Sequence, residues 1–132
     1  MKALSESQIA KHFYEYAKVK YPELLVCHVA NERRCSVRTG FALKQQGVRK
    51  GMPDYLVFSK SNGFCGLAIE LKKNTKCKLS VEQEDVLNVL ADNGWCAVAS
   101  FGLRSICNVL DWYQDCCRGV FPEGNRKFNK LK

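Results

Sequence analysis

The feature that most restricts the fold is a pair of short β-prone runs joined by a turn. Residues 55–59 (YLVFS) and 66–71 (GLAIEL) are rich in aromatic and aliphatic residues, and the Asn62-Gly63 dipeptide between them is a strong hairpin signal. The two runs are therefore expected to pair as antiparallel neighbours. The remaining predicted elements have to pack around this hairpin.

Helix-start signals lie on both sides of the hairpin. Ser5-x-x-Gln8 and Ser80-x-x-Gln83 are capping boxes, so helices are predicted over 6–20 and 80–93. Strands are predicted at 24–29 and 95–101, a short helical piece at 41–46 within a loop, and an amphipathic last helix ending at Gly119. The strand at 95–101 follows a helix and should lie parallel to a neighbour. The fold class is therefore α/β, a small mixed β-sheet flanked by helices.

The chain has the size of one domain. With 132 residues, 46% of them hydrophobic, it can bury a core without disulfides. We predict a domain over residues 1–118 and a basic C-terminal tail, extended or mobile, over 119–132. The sequence shows no apolar stretch long enough for a membrane span or a signal peptide, so we expect a cytoplasmic protein with no membrane partner.

Positive charge is concentrated in runs that contain no acidic residue. The net charge is +8, and the acid-free segments cover residues 33–50 and 72–78. This clustering suits binding to the phosphate backbone of a nucleic acid, although the charge could serve solubility alone. The candidate DNA-binding residues are Arg33, Arg34, Arg38, Lys44, Arg49, Lys50, Lys73 and Lys76.

Eight cysteines raise the question of disulfides or zinc. They form no C-x-x-C pair, and neither His12 nor His28 completes a zinc pattern. We expect most of them to be buried, reduced hydrophobic residues, and we expect no zinc site. A small zinc-binding regulatory protein stays open as an alternative that this spacing disfavours.

Three polar residues of the hairpin are candidates for chemistry. Glu70 lies in an apolar strand, where a buried carboxylate needs Lys72 or a metal ion beside it. The alternative is that Glu70 and Lys72 form an ion pair on a solvent-facing side of the sheet. Asp54 at the start of the partner strand should lie near both. A plain two-residue turn would set Asp54 opposite Leu71, on the wrong face. The connection must therefore contain an odd number of residues or a bulge.

Two carboxylates that converge with a lysine suit metal-dependent phosphodiester hydrolysis. Magnesium prefers oxygen ligands, so Asp54, Glu70 and one backbone carbonyl form a sufficient protein contribution. The ion lowers the pKa of a water nucleophile. Lys72 orients that water or stabilises the negative charge that develops on the phosphate.

Several motifs occur in a fixed order along the chain: the run from Gly47 to Phe58 around Gly51-Met52-Pro53-Asp54, then Ile69-Glu70-Leu71-Lys72, Leu79-Ser80-x-x-Gln83, Leu90 and Gly94. Together they closely resemble the virus-type replication-repair nuclease (VRR-NUC) family, a branch of the PD-(D/E)XK nuclease superfamily. The similarity extends from about residue 6 to residue 112. It implies a restriction-endonuclease-like core that binds Mg2+ or Mn2+ through Asp54, Glu70 and the Leu71 carbonyl, with Lys72 as the catalytic lysine.

The same resemblance adds two candidate site residues. Gln83 corresponds to the family's glutamine near the catalytic site, although it is also the third helical residue of a capping box. Glu6 resembles an acidic residue that helps to hold a second metal ion or its water, although acids are also favoured in a first helical turn. Glu32 replaces the small residue usual after Asn31, so no role is assigned to that segment.

Stand-alone bacterial and viral members of the family imply a homodimeric Holliday-junction resolvase, because a two-fold junction requires two cuts. Candidate interface residues are Trp112 and Tyr113 of the last helix, or the loop at 33–46, although these two segments could instead be ordinary core and DNA-binding surface. We therefore expect a structure-selective endonuclease for branched DNA in a bacterium or a virus-infected cell. The alternatives are a flap or end-processing nuclease and a catalytically silent DNA-binding module, which the presence of Asp54, Glu70 and Lys72 disfavours.

Overall fold

The computed structural model describes residues 2–30, 36–116 and 118–128. Within these ranges helices and strands alternate in an order close to the one predicted. The elements are α1 (Glu6–Lys20), β1 (Val26–His28), α2 (Val37–Gln45), β2 (Tyr55–Val57), β3 (Leu67–Lys72), α3 (Val81–Asp92), β4 (Cys96–Phe101), α4 (Leu103–Gln114) and β5 (Asn125–Lys127).

The strands form one mixed sheet in the order β1-β2-β3-β4-β5. β2 pairs antiparallel with β1 and β3, whereas β3 and β4 are parallel and β5 returns antiparallel to β4. Helix α3 makes the crossover between the two parallel strands, as a parallel connection requires. The predicted hairpin and the predicted parallel pair are both confirmed.

Helices cover both faces of the sheet. α1 and α4 pack on one face, where Phe13, Ile69 and Leu110 belong to the main core. α3 packs on the other face through Leu87 and Ala91. None of the helices in the described ranges is both long and apolar enough to cross a membrane. The predicted fold class, a small mixed sheet flanked by helices, is confirmed.

The face under α3 is lined by small side chains. Ala68 of β3 and Ala97 and Ala99 of β4 are fully buried there. Because these side chains end at Cβ, the helix can approach the sheet closely. The next residue of β3 on the same face is Glu70, which therefore lies under the first turns of α3.

The β2–β3 hairpin contains the predicted bulge. Asn62 and Gly63 form the turn with positive φ angles of 45° and 87°, and Ser61 and Phe64 pair across it. Closer to the strands, residues 58–60 on one side face only residues 65–66 on the other, because Val57 pairs with Leu67. One strand thus carries an extra residue.

The bulge decides which residues share a face. Tyr55 pairs with Ile69, so the same register, continued by one residue, sets Asp54 opposite Glu70. Without the extra residue, Asp54 would face Leu71 and point to the opposite side of the sheet. The prediction of a bulge, made from side-chain parity alone, is confirmed.

Two helix boundaries differ from the prediction. α2 begins at Val37, ahead of residue 41, because Ser36 caps it by accepting a hydrogen bond from the Thr39 N–H. α4 ends at Gln114 and does not reach Gly119, because Cys116 adopts a positive φ of 58°. A non-glycine residue in this conformation has no simple sequence signal.

The C-terminal segment is not a separate tail in its described part. β5 pairs with β4, and the Lys127 Nζ lies 5.1 Å from the centroid of the Trp112 ring and 5.4 Å from that of Phe121. On the other side of the strand, Arg126 donates a hydrogen bond of 2.7 Å to Glu84. The prediction of a tail over 119–132 is therefore wrong for residues 125–127. Contacts with distant elements hold this polar segment, which has no period of its own.

Most of the described cysteines are not buried. All of them are free thiols, but only Cys96 is buried, and the others are exposed or partly exposed. The prediction that most cysteines are buried is wrong for this set, because five of the six lie outside the buried strand positions.

Trp112 and Tyr113 belong to the core of the molecule. They are 9% and 0% exposed, and the Tyr113 hydroxyl donates a hydrogen bond to the Ser59 carbonyl. Of the two interpretations of these residues, interface or ordinary core, the structure supports ordinary core. The other candidate, the loop at 33–46, includes α2, which contains no buried residue.

Candidate active site

Asp54, Glu70 and Lys72 meet on the face of the sheet that α3 covers. Strand alternation places Glu70 and Lys72 on this face, and the register of β2 brings Asp54 beside Glu70. The Lys72 Nζ lies 3.7 Å from Oε1 of Glu70, and the two side chains are 14% and 4% exposed. The alternative of an ion pair on a solvent-facing side is therefore wrong.

A cleft of about 390 Å³ opens onto these three side chains. Gln83 of α3 and Glu6 of α1 also line it, so every predicted catalytic side chain faces one space. The other lining residues are His28, Val29, Ala30, Gly51 and Met52.

Asp54 is held by the backbone of β3. Asp54 is the residue immediately before β2, and its Oδ2 accepts a hydrogen bond of 2.7 Å from the Leu71 N–H. The N–H and C=O of a strand residue point toward the same neighbouring strand. The Leu71 carbonyl therefore faces the side of β3 on which Asp54 lies.

Gln83 serves both of the roles considered for it. Its backbone N–H and its Oε1 form the capping box with Ser80, at 3.1 Å and 2.9 Å. Its Nε2 donates a hydrogen bond of 2.9 Å to Oε1 of Glu70. The residue that caps α3 thus also orients the buried carboxylate.

Glu70 carries an unsatisfied polar atom. Its Oε2 is buried and has no hydrogen-bond partner in the part of the chain that the structure describes. Burial, and then the negative charge of Asp54, raise the pKa of Glu70 to about 9, and burial also raises the pKa of Asp54. The pKa of Glu70 stays raised although Lys72 lies 3.7 Å away, so both carboxylates are charged together only if a further cation lies beside them.

The atoms that could bind a metal ion at this site are oxygen atoms. Across the described ranges no three His, Cys, Asp or Glu side chains are grouped so that they could hold a metal ion. A metal at this site would therefore rely on the two carboxylates, a backbone carbonyl and water. Such a set fits Mg2+, which keeps several waters, better than Zn2+, which prefers nitrogen and sulfur. The unsatisfied oxygen of Glu70 is consistent with that fit.

Glu6 lies where the helix-start interpretation places it and also faces the cleft. It is the acidic residue in the first turn of α1, where a carboxylate is favoured by the helix dipole. It also lines the cleft, and its charge contributes to the raised pKa of Glu70.

Gly51 fixes the loop that precedes Asp54. Its φ is +86°, and a Cβ atom there would lie 2.7 Å from the backbone carbonyl carbon of Glu82. A larger residue would push the loop away from the first turn of α3. The glycine of the Gly-Met-Pro-Asp motif therefore lets the loop pack against the helix that supplies Gln83.

None of the predicted DNA-binding residues in the described ranges lines the cleft. Arg38 and Lys44 lie on α2, Arg49 and Lys50 precede Gly51, and Lys73 and Lys76 follow β3; all of these are exposed. Lys50 forms a solvent-exposed ion pair with Glu82, at 3.7 Å. Arg33 and Arg34 lie outside the described residues.

The sequence interpretation did not identify β1 as part of the cleft. The His28 ring stacks on Tyr55 with centroids 4.8 Å apart, and the Val29 N–H donates a hydrogen bond to the Asp54 carbonyl. The β-prone run at 24–29 was visible. Its pairing with β2 was not, because a long segment separates the two strands and no turn motif joins them.

Comparison with known proteins supports the fold assignment. No protein-family profile and no curated protein matches the chain. A solved structure described as a VRR_NUC domain protein has a TM-score of 0.76 and 22% identity, and the match covers 88% of this chain and 93% of that chain. Another, described as a VRR_NUC domain, has a TM-score of 0.47 and 19% identity over 80% of this chain and 97% of that chain. The chain therefore shares the fold of a VRR_NUC domain protein, as its motifs predicted.

Proposed function

We propose that the protein is a metal-dependent endonuclease that hydrolyses phosphodiester bonds in branched DNA. The observation that carries this proposal is the buried Glu70 with the partly buried Asp54 and Lys72 beside it, and with one oxygen of Glu70 unsatisfied. A fold gains no stability from such a pair alone, and perturbed carboxylates in a cleft are typical of catalytic sites. The fold shared with a VRR_NUC domain protein supports the same assignment.

The proposed cofactor is Mg2+, for which Mn2+ can substitute. Asp54, Glu70 and the Leu71 carbonyl would hold it. When bound, the ion lowers the pKa of a water nucleophile and offsets the negative charge of the phosphate. Glu6 is proposed to hold a second ion or its water from the α1 side of the cleft.

The remaining side chains position the reactants. Lys72 lies at the open side of the carboxylate pair, where its ammonium group can orient a water molecule or bind a phosphate oxygen. A fixed donor of this kind stabilises a developing negative charge by about 3 kcal/mol. Gln83 holds Oε1 of Glu70 and so leaves Oε2 available to a cation.

The basic residues would bind the DNA backbone. The net charge of +8 and the exposed positions of Arg38, Lys44, Arg49, Lys50, Lys73 and Lys76 support this role, and Arg33 and Arg34 are included from the sequence. Contacts of this type position the duplex without reading its bases.

The proposed substrate is a Holliday junction cut by a homodimer in the cytoplasm of a bacterium or a virus-infected cell. A two-fold dimer would present two active sites in a fixed relation, which matches the symmetry of the junction. The main alternative is a flap or end-processing nuclease, for which two fixed active sites are not required.

Substitution of the carboxylates tests the catalytic site. Asp54→Asn and Glu70→Gln should each lower the cleavage rate in Mg2+ at least about 100-fold, whereas junction binding in Ca2+ should change little. Asp92→Asn, an exposed acid at the end of α3, is the matched control and should cut normally. Full activity of either site variant would eliminate the metal-site proposal.

A comparison of substrates tests the class of DNA. Four-way junction, flap, splayed arm and linear duplex should be incubated with the protein with and without Mg2+, and the mass of the protein measured by light scattering. Preferential cutting of the junction by a dimer supports the resolvase. Preferential cutting of flaps by a monomer supports the alternative, and binding without any cutting indicates a silent module.

A further inference from the structure

A second groove lies beside the candidate active site. It has a volume of about 390 Å³ and lies between α3 and the loop that precedes Asp54. Its apolar wall consists of Met52, Val86, Val89 and Leu90. Met52 also lines the cleft that contains Asp54 and Glu70, so the two spaces are adjacent.

Charged residues form the rim of this groove. Arg49 and Lys50 lie on the loop, and Glu82 and Asp85 lie on α3. The ion pair between Lys50 and Glu82 spans 3.7 Å, and its side chains are 71% and 49% exposed. An exposed pair of this kind is weak, so Lys50 is available to an incoming phosphate.

We propose that this groove binds an unpaired nucleobase next to the phosphodiester held in the cleft. This inference rests on the proposed nuclease function. The volume lies within the roughly 300–1,000 Å³ range of pockets for small ligands. Aliphatic walls can pack against both faces of a base, as they do where bases leave the helical stack. Glu82 and Asp85 can accept hydrogen bonds from exocyclic amino groups.

The surroundings favour a nucleotide over an apolar peptide. A nucleotide brings a phosphate to Arg49 and Lys50 and a flat apolar surface to Val86 and Val89, which matches both parts of the groove. A peptide would bring no negative charge to Arg49. The shared wall at Met52 sets the groove next to the proposed cleavage site, as a neighbouring nucleotide requires.

The inference defines a preferred class of substrate. A strand with an unpaired nucleotide at the cleavage site can place its base in the groove directly. In a continuous duplex, one nucleotide would first have to be unpaired and unstacked, which costs free energy. Branched DNA with an unpaired nucleotide at the branch point should therefore be bound more tightly than a linear, fully paired duplex.

A comparison of two valines on α3 tests the groove. Val89 lines it and is 59% exposed, whereas Val81 is 72% exposed on the same helix and does not line it. Val89→Asp and Val81→Asp add the same charge to exposed positions. Binding in Ca2+ should be measured by fluorescence anisotropy on splayed-arm DNA, with an abasic nucleotide at the first, second or third unpaired position.

We expect the loss of one base to weaken wild-type binding about tenfold. Val89→Asp should weaken binding to intact DNA by a similar factor and abolish the response to the abasic position. Val81→Asp should behave like the wild type. Val89→Ser, which adds no charge, should change binding in the same direction by a smaller factor.

Other outcomes overturn the inference. It is wrong if loss of the base at none of the three positions weakens binding, or if both aspartate variants weaken binding equally. It is also wrong if the factors by which Val89→Asp and base loss weaken binding simply multiply in the double change. If Val89→Asp changes the mass of the protein in solution but its binding is still weakened by an abasic nucleotide, the groove is instead a contact between copies of the chain. If the wild type cuts DNA but ignores the missing base, only the groove proposal fails. If it neither binds nor cuts DNA, the proposed function fails as well.

Discussion

The carboxyl group of Glu70 is buried where no described residue satisfies its second oxygen. Burial and the charge of Asp54 raise its pKa from 4.5 to about 9, so folding favours the protonated form. A raised pKa contributes stability that is fully present below the unfolded value and is lost as the pH rises through the folded value. The metal-free protein should therefore lose stability between about pH 4.5 and pH 9.

Glu70→Gln should reduce this pH dependence in EDTA, because glutamine has no ionised form to bury. We expect urea unfolding at pH 5, 7 and 9 to show a flatter profile for the variant, with its largest gain over wild type at the highest pH. Addition of Mg2+ at pH 8 should stabilise the wild type, by about 2.7 kcal/mol at 100 times the dissociation constant, and should have little effect on the variant. Parallel pH profiles would show that Glu70 is not the titrating group.

At the scale of the element, the first turn of α3 links helix capping to the active site. Ser80 holds Gln83 through the capping box, and Gln83 holds Glu70. α1 begins with the same motif, Ser5 and Gln8, but in the described residues neither of these side chains is hydrogen-bonded to Glu70. Only the capping box of α3 therefore contacts Glu70 directly, whereas that of α1 precedes Glu6, the residue proposed to hold a second ion.

Ser80→Ala and Ser5→Ala should each lower the free energy of unfolding by about 1 kcal/mol. Ser80→Ala should lower kcat much more than Ser5→Ala, because the side-chain amide of Gln83 loses its second hydrogen bond and no longer fixes the orientation of Glu70. Thermal unfolding and cleavage of a fixed substrate check the two effects. Equal losses of kcat in both variants would mean that the capping box of α3 has no specific link to the site.

At the scale of the whole molecule, β5 completes the sheet. It covers the edge of β4, and Lys127 packs against Trp112 and Phe121. An uncovered edge strand exposes unpaired backbone groups, which promote aggregation. The C-terminal segment is thus part of the folded unit as far as residue 128.

Truncation after Arg118 should lower the free energy of unfolding by about 3 kcal/mol or more, because it removes β5 and the aromatic contact of Phe121. Aggregation, followed by light scattering, should increase as well. Truncation after Phe128 keeps β5 and is the matched control. An unchanged stability after the longer truncation would show that β5 contributes nothing to the fold.

Local patterns predicted the elements and the centre of the site. Capping boxes place the starts of α1 and α3, and Asn62-Gly63 places the turn of the hairpin, because each signal depends on residues a few positions apart. The bulge that aligns Asp54 with Glu70 was predictable for the same reason. Side chains alternate strictly along a strand, so parity alone shows that one extra residue is required.

The tertiary structure decided which distant residues join these elements. β5 and the His28 end of β1 reach the sheet through pairings with no local signature, and the groove at Val89 exists only where α3 meets the loop at Gly51. The free energy that selects such contacts comes from surface buried between segments far apart in the chain, after the entropy of closing the loops between them is overcome. A short stretch of sequence contains information on neither the surface buried between distant segments nor the entropy of loop closure. The carboxylate pair, which depends on local patterns, was therefore predictable, and the surroundings of the pair were not.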